Sequence, residues 1–125
     1  MKLKIIEAIN RIDSLVPNGF SQQDKIAWLS TVDGVVKNNI INTHEGADKV
    51  EWQPYTETTS IETELLVPAP YDTMYIYWLQ AQIDYWNQDM IKYNNSISMY
   101  NTAYSEYERF YNRTNAPKNH KFKFF

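Results

Sequence analysis

The chain has 125 residues, a formal charge of −3 from 12 Lys+Arg and 15 Asp+Glu, and no cysteine. That length suits one domain able to bury roughly two-thirds of its unfolded surface, and the lack of cysteine excludes disulfide scaffolds, thiolate metal sites and thiol nucleophiles. No run reaches the ~20 apolar residues of a membrane span, and Met1-Lys2-Leu3-Lys4 is not followed by the apolar core of a signal peptide; with 43% hydrophobic residues, a soluble cytoplasmic domain is expected. The composition leaves one oddity, 10 tyrosines and 4 tryptophans in so short a chain.

From Lys2 to Val16, Ile5, Ile9, Ile12 and Val16 recur at spacings that share one helix face. Pro17, Asn18 and Gly19 end this helix. Ser21 then caps a second helix, with Asp24 three residues on and Phe20 and Lys25 at the staple positions. It runs through Trp28, Leu29, Val32, Val36 and Ile40 and ends between Ile41 and Gly46. Gly34 inside it costs about 1 kcal/mol relative to alanine and marks either a close backbone approach or a bend.

Residues 46–70 carry no helical period. Lys49–Trp52 and Glu64–Val67 read as short strands, joined by Thr56–Ser60 into an extended or hairpin-like excursion. A loop this long in a compact chain is uncommon and is usually functional or disordered. Asp72 is the expected cap of the third helical region, and no proline or glycine follows between Tyr71 and Asn115. A stripe runs through Ile76, Leu79, Ile83, Trp86, Met90, Tyr93, Ile97, Tyr100, Tyr104, Tyr107 and Tyr111 at alternating spacings of 3 and 4. The unbroken phase suits one rod, but a rod from Asp72 to Arg113 would be about 63 Å long. Compactness favours two helices broken at Asn87-Gln88-Asp89, with Asp89 capping the second. The fold class is therefore all-α, a small bundle of about four helices in a single domain over 1–125, with 115–125 as a tail.

Catalytic chemistry finds little support. His44 lies at a helix end, where the dipole favours a cation, and no HExxH pair or cysteine accompanies it; it reads as helix termination or surface. His120 sits in the tail. No serine has a GxSxG setting, Glu62 and Glu64 read as solvated loop carboxylates, and three glycines cannot build a phosphate loop. No catalytic, cofactor-binding or metal-binding residue is assigned. A helix–turn–helix reading of the first two helices meets a second helix with only Lys25 and Lys37 and a negative chain, poor material for phosphate neutralisation.

Nine of the ten tyrosines lie between Tyr71 and Tyr111. The seam they build is either a private core or a surface shared with other subunits, because tyrosine combines large contact area with a hydrogen-bonding tip. On the shared reading the interface candidates are Tyr100, Tyr104, Tyr107 and Tyr111. Trp52 and Tyr55 of the excursion join them, as do Lys121, Phe122, Phe124 and Phe125 of the tail.

Several runs resemble a family. They are Trp28-Leu29, Asp33-Gly34, Asn42-Thr43-His44-Glu45-Gly46 and Glu64-Leu65-Leu66-Val67-Pro68-Ala69-Pro70-Tyr71-Asp72. Ala81-Gln82-Ile83-Asp84, Lys92-Tyr93-Asn94-Asn95-Ser96 and Tyr111-Asn112-Arg113-Thr114 follow in order. In combination these are similar to small head–tail connector or head-completion adaptors of tailed phages and prophages of Gram-positive hosts. The resemblance spans about Trp28 to Thr114, and the phenylalanine-rich tail is outside it. Relatives often have a glycine where this chain has Gln88. The resemblance implies a mostly helical, non-enzymatic virion protein, made in the bacterial host cytoplasm. It implies a homo-oligomeric ring between the portal protein and tail-side adaptors, through which DNA passes without specific binding. The alternative is a small phage-encoded helical regulator that binds a host protein or DNA.

Overall fold

The computed structural model describes residues 1–118. Their element order is β1 (Lys2–Lys4), α1 (Ile5–Leu15), α2 (Gln22–Asn39), β2 (Glu64–Pro68), α3 (Thr73–Trp86) and α4 (Met90–Thr114), with single 3-10 turns at Ile41–Thr43 and Ala47–Lys49. The architecture is a helical bundle with a small two-stranded antiparallel sheet.

Two sequence expectations change at the sheet. The first helix starts at Ile5 rather than Lys2, because Lys2–Lys4 pairs with β2, Lys2 opposite Pro68 and Lys4 opposite Glu64. The Lys4 amide donates to Glu7 Oε1 at 2.8 Å and closes the helix start. The expected hairpin within the excursion does not form. Glu64–Pro68 is a strand, but its partner is the N-terminal segment, and Ala47–Lys49 is a helical turn. The amides of Ile5 and Ile6 continue the tie by donating to the Thr63 and Ile61 carbonyls.

The expected break in the C-terminal rod is present. Gln88 adopts a left-handed φ of 61°. The Gln88 amide donates to the Tyr85 carbonyl at 3.0 Å and the Asp89 amide to the Asp84 carbonyl at 2.9 Å, so the last carbonyls of α3 are satisfied as the chain reverses. Asp89 Oδ1 then accepts from the Lys92 amide at 3.2 Å and caps α4. The two helices meet in antiparallel aromatic pairs, Tyr85 on Tyr93 (5.5 Å between centroids) and Trp78 on Tyr100 (4.9 Å), and Tyr71, two residues before α3, continues the series on Tyr107 (5.7 Å). Offset and tilted rings at such distances add about 0.5–1.5 kcal/mol per pair beyond burial.

The core lies between α3 and the pair α1–α2. Ile5, Ala8, Ile9 and Ile12 face Ile26, Leu29, Val32 and Val36, with Leu65, Val67, Met74, Tyr75, Leu79 and Ile83 closing it. α3 is apolar nearly all round, with Met74, Tyr75, Tyr77, Trp78 and Tyr85 lying off the stripe of Ile76, Leu79 and Ile83, because α4 covers one side and α1–α2 the other. Ser21 caps α2 as its sequence predicts, accepting from the Asp24 amide at 3.1 Å. Lys25, expected as a staple, is instead a buried cation bonded to Asp13 Oδ1 at 2.7 Å and to the Phe20 carbonyl at 2.9 Å. Asp72 stands at the N-cap of α3 without a side-chain cap bond.

Candidate functional site

The most constrained group in the molecule is Asp33, fully buried on the core face of α2. Its Oδ2 accepts from the Tyr55 hydroxyl at 2.5 Å and from the Leu66 amide at 3.1 Å. Its Oδ1 accepts from the Tyr75 hydroxyl, whose oxygen in turn accepts from the Val67 amide at 2.8 Å. One turn earlier on the same face, Ser30 Oγ accepts the Tyr55 amide at 3.0 Å. One carboxylate thus ties α2 to the excursion, to β2 and to α3. Gly34 completes the arrangement, because a Cβ there would lie 3.3 Å from Cη2 of Trp52. The glycine marks a close approach, and Trp52 packs edge-on to Tyr55 at 5.7 Å.

Burial pushes the Asp33 carboxyl above the usual carboxylate range, although the two phenols, the Leu66 amide and the charge of Lys2 pull it down. Burial also raises both phenols, and the adjacent carboxylate raises them further. The Trp52 indole N–H, buried without a hydrogen-bond partner of good geometry, acts on Tyr55 in the opposite sense. The tyrosines therefore serve as neutral donors, and a carboxylate closed off from solvent by its own donors is a structural tie rather than a base that meets a substrate.

The opposite character prevails at the α3–α4 turn. Tyr85, Trp86, Met90 and Ile91 are 45%, 59%, 48% and 83% exposed. Beneath them Ser96 Oγ donates to the buried Asp84 carboxylate at 2.8 Å and fixes the helix pair. Beside the turn, Phe20, Asp24, Trp28 and Trp86 line a cleft of about 270 Å³. Phe20 and Trp28 meet edge-to-face at 5.4 Å, and the Trp78 indole N–H holds the Trp28 carbonyl at 3.0 Å.

The interface candidates divide. Tyr55, Tyr100 and Tyr107 are buried within the chain itself, so their rings are not available to a neighbour. Within the chain α4 folds back on α3, and Tyr100, Tyr104, Tyr107 and Tyr111 each pack on another aromatic ring. Burial raises the hydroxyls of Tyr100 and Tyr107 accordingly. Trp52, Tyr104 and Tyr111 are half-buried. Lys121, Phe122, Phe124 and Phe125, with His120, lie outside the described residues. The structure brings Trp52 and Tyr55 together at the Asp33 tie, and Tyr107 with Tyr111 on α4 at 5.9 Å.

His44 is buried rather than a surface residue. Its Nδ1 lies 2.6 Å from the Ile40 carbonyl and its ring meets Tyr111 at 4.8 Å. The start of the expected tail is docked beside it, since the Glu45 amide donates to the Ala116 carbonyl and the Lys118 amide to the Thr43 carbonyl. Among the described residues no group of three or more His, Cys, Asp or Glu side chains could hold a metal ion, and no helix is long and apolar enough to cross a membrane. Sequence reasoning missed the role of Asp33, although its signal is present. Asp33 stands four residues after Leu29 and three before Val36, on the apolar face, where a carboxylate must find donors.

Comparison of the chain with protein-family models, with curated proteins and with solved structures gives no match.

Proposed function

We propose that the chain is a phage virion structural protein, a non-enzymatic head–tail connector adaptor that assembles as a ring between the portal and the tail. The resemblance of its sequence runs motivates the reading, and one observation carries it: a rigid helical hairpin that presents Tyr85, Trp86, Met90 and Ile91 to solvent in one place. Contiguous exposed apolar surface on a small domain marks a protein-interaction surface. A ring subunit needs such a surface on a stiff body, and heterologous contacts close into a ring when the rotation between neighbours permits. The runs that carry the resemblance support the body. Asp33-Gly34 meets Leu66 and Trp52, and His44 binds the Ile40 carbonyl beside Tyr111. The net charge of −3 suits a conduit through which DNA slides without adhering.

The test is reconstitution with the portal protein and tail-side adaptors of the same phage or prophage, followed by light scattering and electron microscopy. Ring-shaped complexes on the portal are the expected result. A chain that stays monomeric in their presence, or that instead binds duplex DNA with strong salt dependence, overturns it and favours the regulator.

A further inference from the structure

We propose that the cleft of Phe20, Asp24, Trp28 and Trp86 takes the basic aromatic segment 120–125 of a second copy of the chain. A lysine ammonium lies against the tryptophan rings and pairs with Asp24, and phenylalanine rings cover the exposed surface of Trp86, Met90 and Ile91. The contact deepens the ring reading by naming how one subunit holds the next, and it rests on that reading for its place in the particle.

The cleft has the chemistry of a cation site. Three aromatic rings and one carboxylate line it, and a cation over an indole face is attracted by the ring quadrupole. Asp24 is exposed. Its backbone amide is used by Ser21, while among the described residues no lysine or arginine forms an ion pair with its carboxylate. The nearest cation in sequence, Lys25, is turned away and consumed by Asp13 and the Phe20 carbonyl. The complementary chemistry is in the chain itself, where Lys121 and Lys123 alternate with Phe122 and Phe124 and are followed by Phe125.

Geometry assigns the segment to another copy. The Lys118 amide is held by the Thr43 carbonyl, beyond the C-terminal end of α2. Asp24 and Trp28 are at the other end of that helix, and Asp24 is about 22 Å from Asn39 along its axis. Along α4, Met90 is about 36 Å from Thr114. Lys121 and Lys123, three and five residues past Lys118, reach at most about 11 and 18 Å from it. With about 6 Å of side chain added, Lys121 still falls short of Asp24 and Lys123 meets that distance only when fully extended, so the chain's own cleft cannot take the segment 120–125 as a whole. A contact between unlike surfaces of two copies propagates head to tail, as a ring requires.

Two full-length variants test this by sedimentation at low ionic strength: Asp24→Lys, with an altered cleft and an intact tail, and Lys121→Gln with Lys123→Gln, with the reverse. The wild type should self-associate, and each variant alone should do so about tenfold more weakly. Their mixture should form one-to-one heterodimers that grow no further, since only one wild-type contact is left to form. Trp86→Ala, at an exposed position, should weaken association without loss of folding. A wild type that stays monomeric at millimolar concentration, variants that associate as well as the wild type, or a mixture that stays monomeric overturns the proposal. If both variants still form rings on the portal, the contact falls and the ring reading stands. If the heterodimer pattern appears but the wild type never joins the portal, the contact stands and the ring reading falls.

Discussion

The Asp33 tie and the α3–α4 turn solve opposite problems with similar materials. At the tie, a carboxylate and two tyrosines are enclosed and answer one another and the Leu66 and Val67 amides, so four segments are locked. At the turn, a carboxylate is again buried and bonded to Ser96, but the aromatic residues above it face water. Satisfied polar networks specify a unique arrangement, whereas exposed apolar surface offers binding energy that the fold itself does not use. The difference sets an enclosed, fully bonded carboxylate at one end against aromatic surface that the fold leaves uncovered at the other.

The largest expected effect comes from breaking the tie. Asp33→Ala leaves the Tyr55 and Tyr75 hydroxyls and the Leu66 amide without their acceptor, at a cost of about 3–5 kcal/mol. Asp33→Asn keeps the shape and one acceptor but turns an amide donor toward donors, and should cost about 2 kcal/mol. Trp86→Ala, at the other end, should change stability by no more than about 0.5 kcal/mol. Urea unfolding monitored by circular dichroism ranks the three. Equal losses at the two ends would remove the contrast.

Gly34 tests how tightly the excursion is pressed on α2. Gly34→Leu overpacks the contact with Trp52 and should cost about 1–3 kcal/mol, with faster hydrogen exchange at the Tyr55 amide now held by Ser30. Gly34→Ala adds a Cβ 3.3 Å from the edge of a half-buried indole. A shift of a few tenths of an ångström relieves that, and the gain in helix propensity is about 1 kcal/mol. Stability within about 0.5 kcal/mol of the wild type is expected from these opposing terms.

A pH series separates the ends by sign. Because burial raises Asp33 in the folded state, the folded chain binds more protons than the unfolded chain above the ordinary carboxylate value near 4. This contribution to stability is full below that value and is lost as pH rises through the raised one, by at most about 1.4 kcal/mol per unit. Asp13 runs the other way: partial burial pushes it up, but the hydrogen bonds from Lys25 and Asn18 outweigh that and hold it low. Its contribution is present above the ordinary value and lost as pH falls through the lowered one. Asp33→Asn should remove the falling limb above pH ~4 and leave the acid limb, while Trp86→Ala should leave both.

The helices were legible because their signals are local. Ser21 and Asp89 cap where their sequence predicts, and the Ile5–Ile9–Ile12 face is buried. The antiparallel partner of Glu64–Pro68 was not legible, since pairing it with Lys2–Lys4 depends on how the bundle brings distant segments together. The tyrosine seam could be read as a seam, but private and shared cores use the same residues. Only the reversal at Gln88, which folds α4 onto α3, decides that Tyr100 and Tyr107 are enclosed.

That reversal gives the smallest and most local prediction. Gln88 holds a φ of 61°, a conformation that costs a residue with a Cβ about 1–2 kcal/mol and costs glycine almost nothing. Glycine also gains conformational entropy in the unfolded chain, which returns about 0.5–1 kcal/mol of that advantage. Gln88→Gly should therefore raise stability by about 0.5 kcal/mol, read as a shift in the urea midpoint at unchanged slope. The Tyr85 and Asp84 carbonyls stay bonded in either case, since the donors are backbone amides. The substitution should also leave self-association unchanged, because Trp86, Met90 and Ile91 keep their places on either side of the turn. A gain in stability accompanied by lost association would mean that the turn's strain, rather than its exposed rings, prepares that end of the molecule for a partner.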